Sequence, residues 1–248
     1  MITGASSGIG KSCAQVFARN GYKIILSARR IELIRKLADE LKADYGSESI
    51  CVQLDVRNKM EVNHVVDNLT NQWKNISVLV NNAGLALGLH AIDEGDTEEW
   101  DVMIDTNIKG LLYVSRAIIP LMKSGGDGHI INIGSISGRE VYPKGNVYCS
   151  TKHAVDALTR AMRIDLLPYR IKVTQVSPGA VETEFSLTRF RGDTERAKAV
   201  YDGYTPLTPD DVAEVVYFCA DRPPHVNIND VLFMPAQQAN AVTFNKNL

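Results

Sequence analysis

The sequence predicts an α/β fold: one domain built on a doubly wound parallel sheet of about seven strands with helices on both faces. Three observations predict it. Short β-branched apolar runs alternate with longer amphipathic stretches along the whole chain. A glycine-rich loop opens what reads as the first helix. No Gly/Ser linker, internal repeat or low-complexity segment divides the 248 residues, so residues 1–248 are expected to form a single domain.

The elements follow in order. Only Met1 and Ile2 precede the loop that begins at Thr3, where a full central strand of about five residues belongs, so the sequence is expected to start inside its first strand. Lys23-Ile24-Ile25-Leu26 reads as the second strand, and Ile31, Ile34, Leu37, Ala38 and Leu41 then recur at helical spacing. Residues 50–54 give a third strand and Val78-Leu79-Val80 a fourth. Residues 129–133 give a fifth, followed by a helical stripe of Val155, Leu158, Met162 and Leu166. Residues 171–176 and 231–234 complete the set. Near-continuous apolar runs of this kind suit strands covered on both faces. Two regions break the alternation: residues 82–96, rich in Gly and small side chains, and residues 178–204, with charged and aromatic side chains. Both follow the carboxyl ends of strands, where this architecture binds ligands, and the second is expected to be the substrate loop.

Composition excludes several classes. Lysines and arginines total 27 against 29 acids, for a net charge of −2 with no basic stripe, so no nucleic-acid partner is expected. No apolar run approaches the roughly 18 residues of a membrane span, and no basic region with an apolar stretch and cleavage site opens the chain. A cytoplasmic protein without a membrane partner is expected. The four cysteines form no C-x-x-C pair and the five histidines no i, i+4 pair, so no metal site is expected.

The opening MITGASSGIGKS can be read as a triphosphate loop or as a dinucleotide loop. The triphosphate motif needs glycine where Ala5 stands, and the ordinary G-x-G-x-x-G pattern fails at Cys13. Gly4, Gly8 and Gly10 instead give G-x-x-x-G-x-G, which allows a tight turn and close approach of a pyrophosphate to helix N–H groups. Residues far downstream decide between the readings. Tyr148 and Lys152 share one face of a predicted helix, Ser135 follows a strand, Asn81-Asn82-Ala83-Gly84 follows another, and Pro178-Gly179 a third. Together they favour a dinucleotide.

With Thr3–Gly10, Asp55-Val56, Asn107 and these residues, the chain resembles the short-chain dehydrogenase/reductase family over nearly all of its length. The resemblance implies a Rossmann-type domain, an NAD(P)-dependent oxidoreductase acting on CH-OH groups, and a homotetramer. It implies catalytic roles for Asn107, Ser135, Tyr148 and Lys152: Tyr148 as acid/base, Lys152 favouring its phenolate and holding the nicotinamide ribose, Ser135 on the substrate oxygen, and Asn107 in a proton path through water. It implies cofactor contacts at Gly4, Ser6, Ser7, Gly8, Ile9 and Gly10, at Asp55 and Val56 beside the adenine, at Asn81, Ala83 and Gly84 along the riboses, and at Pro178, Gly179, Val181 and Thr183 at the nicotinamide.

The second strand ends Ser27-Ala28-Arg29-Arg30, without the acid that takes the ribose 2′-hydroxyl in NAD enzymes. Arginine forks suit phosphate, so NADP is the expected cofactor, with Ser27, Arg29 and Arg30 near its 2′-phosphate. Val181–Ser186, Thr188–Asp193 and His225–Asn229 resemble the NADP-dependent 3-hydroxy acid dehydrogenases that act on serine, allo-threonine and related short acids. A carboxylate substrate needs a cation, and Arg139, Lys144, Arg189 and Arg191 are the candidates, with Glu182 for an amino group. A broad carbonyl reductase, a 3-oxoacyl carrier reductase and a cofactor-bound scaffold without turnover are the competing readings.

Overall fold

Strands and helices alternate from the first residue in a computed structural model that describes residues 1–246; residues 247–248, the end of the expected domain, lie outside the described residues. The order begins β1 (Ile2–Thr3), α1 (Gly8–Arg19), β2 (Ile24–Ala28), α2 (Ile31–Tyr45), β3 (Ser49–Gln53), α3 (Lys59–Asp67), α4 (Asn71–Lys74) and β4 (Val78–Asn81). It continues α5 (Thr97–Ile104), α6 (Leu111–Gly125), β5 (Gly128–Ile133), α7 (Asn146–Leu166) and β6 (Ile171–Pro178). It ends α8 (Glu184–Arg189), α9 (Thr194–Ala199), α10 (Pro209–Ala220) and β7 (Asp230–Phe233).

The seven strands form one parallel sheet in the order β3-β2-β1-β4-β5-β6-β7. Successive side chains point to opposite faces, which explains why the apolar runs are continuous. In β2, Ile24, Leu26 and Ala28 join the core beneath α1, α2 and α10, while Ile25 joins the core beneath α3, α6 and α7. The helical stripe read from the sequence buries Ile34, Leu37 and Leu41 of α2. At the two sheet edges burial falls: β3 is only partly covered, and β7 alternates exposed with partly buried residues. The expectation of strands covered on both faces therefore holds for the sheet interior and not for its rims.

The chain reverses its direction of winding between β1 and β4, and the loops leaving their carboxyl ends open a crevice there. Residues 178–204, expected as a loop, contain two short helices, α8 and α9. The Thr183 hydroxyl caps α8 by accepting from the Phe185 amide at 3.1 Å, and the Asp193 carboxylate caps α9 by accepting from the Arg196 amide at 3.1 Å. Caps of this size lie below the resolution of a periodicity argument. Among the described residues, no helix is long and apolar enough to cross a membrane.

Candidate active site

The crevice encloses about 650 Å³. Its floor is the loop after β1. Gly4 turns there with φ +66°, a left-handed value, and a Cβ on it would stand 2.9 Å from Nδ2 of Asn82. Gly10 approaches the same turn so closely that a Cβ would collide with the Gly4 carbonyl oxygen. Asn82 stitches the loops together: its Nδ2 donates to the carbonyls of Thr3 and Gly4 at 2.9 and 3.2 Å. The Thr3 hydroxyl accepts from the amides of Asn82 and Ala83, each at 3.0 Å. No side chain caps α1, so its first N–H groups remain open to an anion.

Gly4, Ser6, Ser7, Gly8 and Ile9 line the crevice. Gly10 and Asn81, expected at the cofactor, do not. Gly10 packs beneath the loop, and the buried Asn81 amide donates to Ser115 and Asn132, both at 2.9 Å, inside the sheet. Ser27, Arg29 and Arg30 line the crevice at the end of β2. The Ser27 hydroxyl is buried without a hydrogen-bond partner among the described residues, and the Arg29 side chain makes no hydrogen bond among them, its charge acting on Asp55. Arg30 donates to the hydroxyls of Ser6 and Ser7 and to the carboxylate of Glu184. Asp55 and Val56 also line it, with Asp55 gripped by Nε and Nη2 of Arg57. These hydrogen bonds, against the cost of burial, hold the Asp55 carboxyl below the usual range.

Deeper in, Tyr148 occupies the first turn of α7 and Lys152 the next, each only 8% exposed. Both line the crevice with Ser135, Ala83 and Gly84. Lys152 and Asn107 meet across Gly84, where a Cβ would lie 3.3 Å from Asn107 Oδ1 and 3.7 Å from Lys152 Nζ. Asn107 sits in a π-helical turn, Asp105–Gly110, between α5 and α6. Its amide makes three hydrogen bonds: Oδ1 accepts from the Leu85 amide at 2.9 Å, and Nδ2 donates to the Leu85 carbonyl at 2.8 Å and to Thr151 at 3.0 Å. Ser135 begins a short 3-10 turn, its Oγ accepting from the Ser137 amide at 3.1 Å.

The expected lowering of the Tyr148 phenol by Lys152 is absent in the protein alone. Burial pushes the phenol above its ordinary value and Tyr142 adds to the rise, while Ser135 and Arg189 pull against it. Lys152 turns its ammonium to the Ile133 carbonyl at 2.9 Å, and burial pulls it down to about 8. Desolvation outweighs attraction at this site.

The far wall comes from the segment after β6. Pro178, Gly179, Val181 and Thr183 line the crevice, but Glu182 does not; its amide donates to the Leu207 carbonyl at 2.9 Å. Of the four candidate cations, only Arg189 lines it. Its Nη2 donates to the Tyr142 hydroxyl at 2.8 Å and its Nε to the Gly88 carbonyl at 3.1 Å. No carboxylate pairs with it among the described residues. Arg139 is held between Asp156 and Asp230, and Arg191 between Glu99 and Asp96. Lys144 borders a separate small hollow beside Glu99. Arg139, Lys144, Arg191 and Glu182, expected at the substrate, therefore do not line the crevice.

Several wall residues escaped the sequence reading: Arg57, Tyr142, Phe185, Glu184, Gln238 and Phe244. Gln238 anchors the C-terminal segment by accepting from the Ala180 amide at 2.8 Å, and Phe244 meets Tyr204 at 4.7 Å between ring centroids. Their segment has no periodicity that would reveal them.

Residues 1–193 match the family described as short chain dehydrogenase. The chain belongs to the short-chain dehydrogenase family. This short-chain dehydrogenase is 46% identical over 242 residues to the NADP-dependent 3-hydroxy acid dehydrogenase YdfG of Salmonella typhi, covering 97% of this chain and 96% of the relative. It is 42% identical over 240 residues to sulfoacetaldehyde reductase 2 of Chromohalobacter salexigens, covering 96% and 94%. A solved structure of the closed form of serine dehydrogenase complexed with NADP+ superimposes with a TM-score of 0.92 at 43% identity, covering 97% of this dehydrogenase and 96% of that chain.

Proposed function

We propose that this dehydrogenase uses NADP to oxidise, or in reverse to form, the hydroxyl-bearing carbon of a short 3-hydroxy acid. One observation carries the substrate class: the Arg189 guanidinium, without a carboxylate partner, borders the crevice beside the Tyr148 ring, its carbon 5.7 Å from the ring centroid. An acid bound with its carboxylate on Arg189 brings its carbinol carbon near the phenol. The names of the relatives, 3-hydroxy acid dehydrogenase and serine dehydrogenase, support the same class.

The crevice suits NADP on its own terms. Among the described residues the Ser27 hydroxyl is a buried polar atom without a hydrogen-bond partner, Arg29 makes no side-chain hydrogen bond, and no side chain caps α1, which leaves its first N–H groups for a pyrophosphate. Ser6, Ser7, Gly8 and Ile9 would hold the pyrophosphate side, Asp55 and Val56 the adenine, Ala83 and Gly84 the riboses, and Pro178, Gly179, Val181 and Thr183 the nicotinamide. When bound, the nicotinamide supplies the hydride acceptor or donor. Tyr148 takes the hydroxyl proton in oxidation and returns it in reduction. Ser135 fixes the substrate oxygen. Lys152, already tied to Ile133, leaves its remaining N–H groups for the ribose hydroxyls. Both Nδ2 hydrogens of Asn107 are donated within the protein, so its part in a proton relay falls to the main chain of the π-helical turn.

The test is absorbance of the reduced nicotinamide with serine, 3-hydroxypropionate and 3-hydroxyisobutyrate, each with NADP and with NAD. Preference for NADP and for free acids over neutral alcohols is expected; equal rates on neutral ketones would overturn the acid assignment. A guanidinium also suits a sulfonate, and the likeness to a sulfoacetaldehyde reductase favours that second reading. Faster reduction of sulfoacetaldehyde than of any 3-oxo acid selects it. A homo-oligomer is part of the proposal, and light scattering after size exclusion measures its mass.

A further inference from the structure

The end of β2 carries no acid of its own, yet a carboxylate reaches that corner from across the crevice. Glu184 opens α8, and its Oε2 accepts from Arg30 Nη2 at 2.9 Å. Arg30 is held on the same edge by two serines of the glycine loop. Nε donates to Ser6 Oγ at 3.2 Å, and Nη2 to Ser6 and Ser7 Oγ at 3.1 and 2.7 Å. The three acceptors use up the Nε and Nη2 edge. Nη1 has no partner among the described residues.

The rest of α8 is pinned elsewhere. At its C-terminal end the Gly88 amide donates to the Arg189 carbonyl at 3.1 Å, and Arg189 Nε donates back to the Gly88 carbonyl. Beyond it, Arg191 pairs with Glu99 and Asp96 of the loop and helix after β4. At the N-terminal end Thr183 lies over Gly8, where a Cβ would meet its methyl at 3.3 Å. The Glu184–Arg30 pair is therefore the ion pair by which the segment over the crevice grips the dinucleotide loop.

A carboxylate facing a phosphate directly would repel it. A guanidinium between them reverses the sign, because its planar fork binds one anion on each edge. Glu184 is in the right state: burial raises its carboxyl, but hydrogen bonds from Arg30 and Ser7 and the Arg30 charge outweigh that and leave it below the usual range.

We propose that Glu184 is a positioning residue for cofactor selection, holding Arg30 by one edge so that Nη1 faces the 2′-phosphate of NADP while α8 is drawn over the crevice. This rests on the reading of Arg30 as the phosphate ligand, and it adds an acid that acts through that ligand. The pair is half exposed, with side chains 49% and 55% accessible, so its effect is modest.

The experiment titrates NADP and NAD by nicotinamide absorbance kinetics and by tryptophan fluorescence. The proteins compared are wild type, Glu184→Gln, Glu184→Asp, Arg30→Gln and the double variant Glu184→Gln/Arg30→Gln. Glu184→Gln is expected to weaken NADP about 3- to 10-fold and NAD less than about 2-fold, with kcat within about 2-fold. Glu184→Asp recovers part of the NADP preference. Arg30→Gln weakens NADP by about 10-fold or more, and the double variant adds nothing to it, since the acid acts through the arginine. Equal weakening of both cofactors by Glu184→Gln, or weakening of neither, overturns the inference while an effect of Arg30→Gln leaves the phosphate reading intact. An unchanged NADP-to-NAD ratio in Arg30→Gln overturns that reading and the inference with it.

Discussion

The Arg189 guanidinium carbon lies 5.7 Å from the ring centroid of Tyr148 while Arg189 Nη2 holds the Tyr142 hydroxyl at 2.8 Å. The proposed binding cation and the proposed proton-transfer group thus stand side by side, although 41 positions of sequence separate them. A short acid has little slack in such a frame.

Replacing Arg189 with Gln is expected to lower kcat/KM for a 3-hydroxy acid by about 10- to 100-fold, the worth of one hydrogen-bonded charge of about 1.5–3 kcal/mol. The same variant should lose less than about 3-fold on a neutral alcohol, since no charge is then left unpaired. Arg139→Gln and Lys144→Gln, neither of them lining the crevice, should leave the acid KM within about 2-fold. Parallel steady-state kinetics on the acid and on its methyl ester read all three.

Tyr148→Phe removes the phenolic proton and little volume. Turnover should fall by about 100- to 10,000-fold, with NADP affinity within about 2-fold by fluorescence titration. Activity near wild type would move the acid/base role to another group.

Burial sets a pH dependence of stability through Lys152. Its folded-state pKa of about 8 lies below the unfolded value of about 10.4, so between these pH values the unfolded chain holds a proton that the folded protein has released. Stability therefore rises with pH across that window, and below pH 8 the buried charge carries its full penalty. From pH 8 to 9.5 the wild type should gain on the order of 2 kcal/mol relative to Lys152→Met, measured by urea unfolding. The Tyr148 phenol works in the opposite direction, but only above about pH 10, where the unfolded phenol ionises.

Gly10→Ala forces a Cβ into the Gly4 carbonyl oxygen. The loop must shift at a cost of about 1–3 kcal/mol, and NADP should bind at least about 10-fold more weakly because the pyrophosphate floor moves with it. Thermal melting with and without NADP separates the two effects.

The legible part of the molecule was the part governed by local repetition. Continuous apolar runs such as Ile24-Ile25-Leu26 mark strands because both faces are covered, and Ile34, Leu37 and Leu41 mark a helix because they share one face. Tyr148 and Lys152 were visible because a helical turn fixes their spacing. Arg57 and Gln238 were not, because each reaches the crevice from a segment with no period. Asn81 points away from the crevice because a strand end permits a side chain to face either the ligand or the sheet, and here its Nδ2 donates to Ser115 and Asn132 inside the sheet.

The sequence by itself determined the alternation of strands and helices, the glycine-rich turn before the first helix and the shared helical face of Tyr148 and Lys152. All three depend on neighbours within a few residues, whose geometry is set by dihedral sterics and burial period. Only the tertiary structure decided which arginine faces the crevice, that Lys152 turns to Ile133, and that Glu184 meets Arg30. Those outcomes depend on which charges find partners across long chain separations. Arg139 and Arg191 found carboxylates, and Arg189 found a phenol and a carbonyl instead.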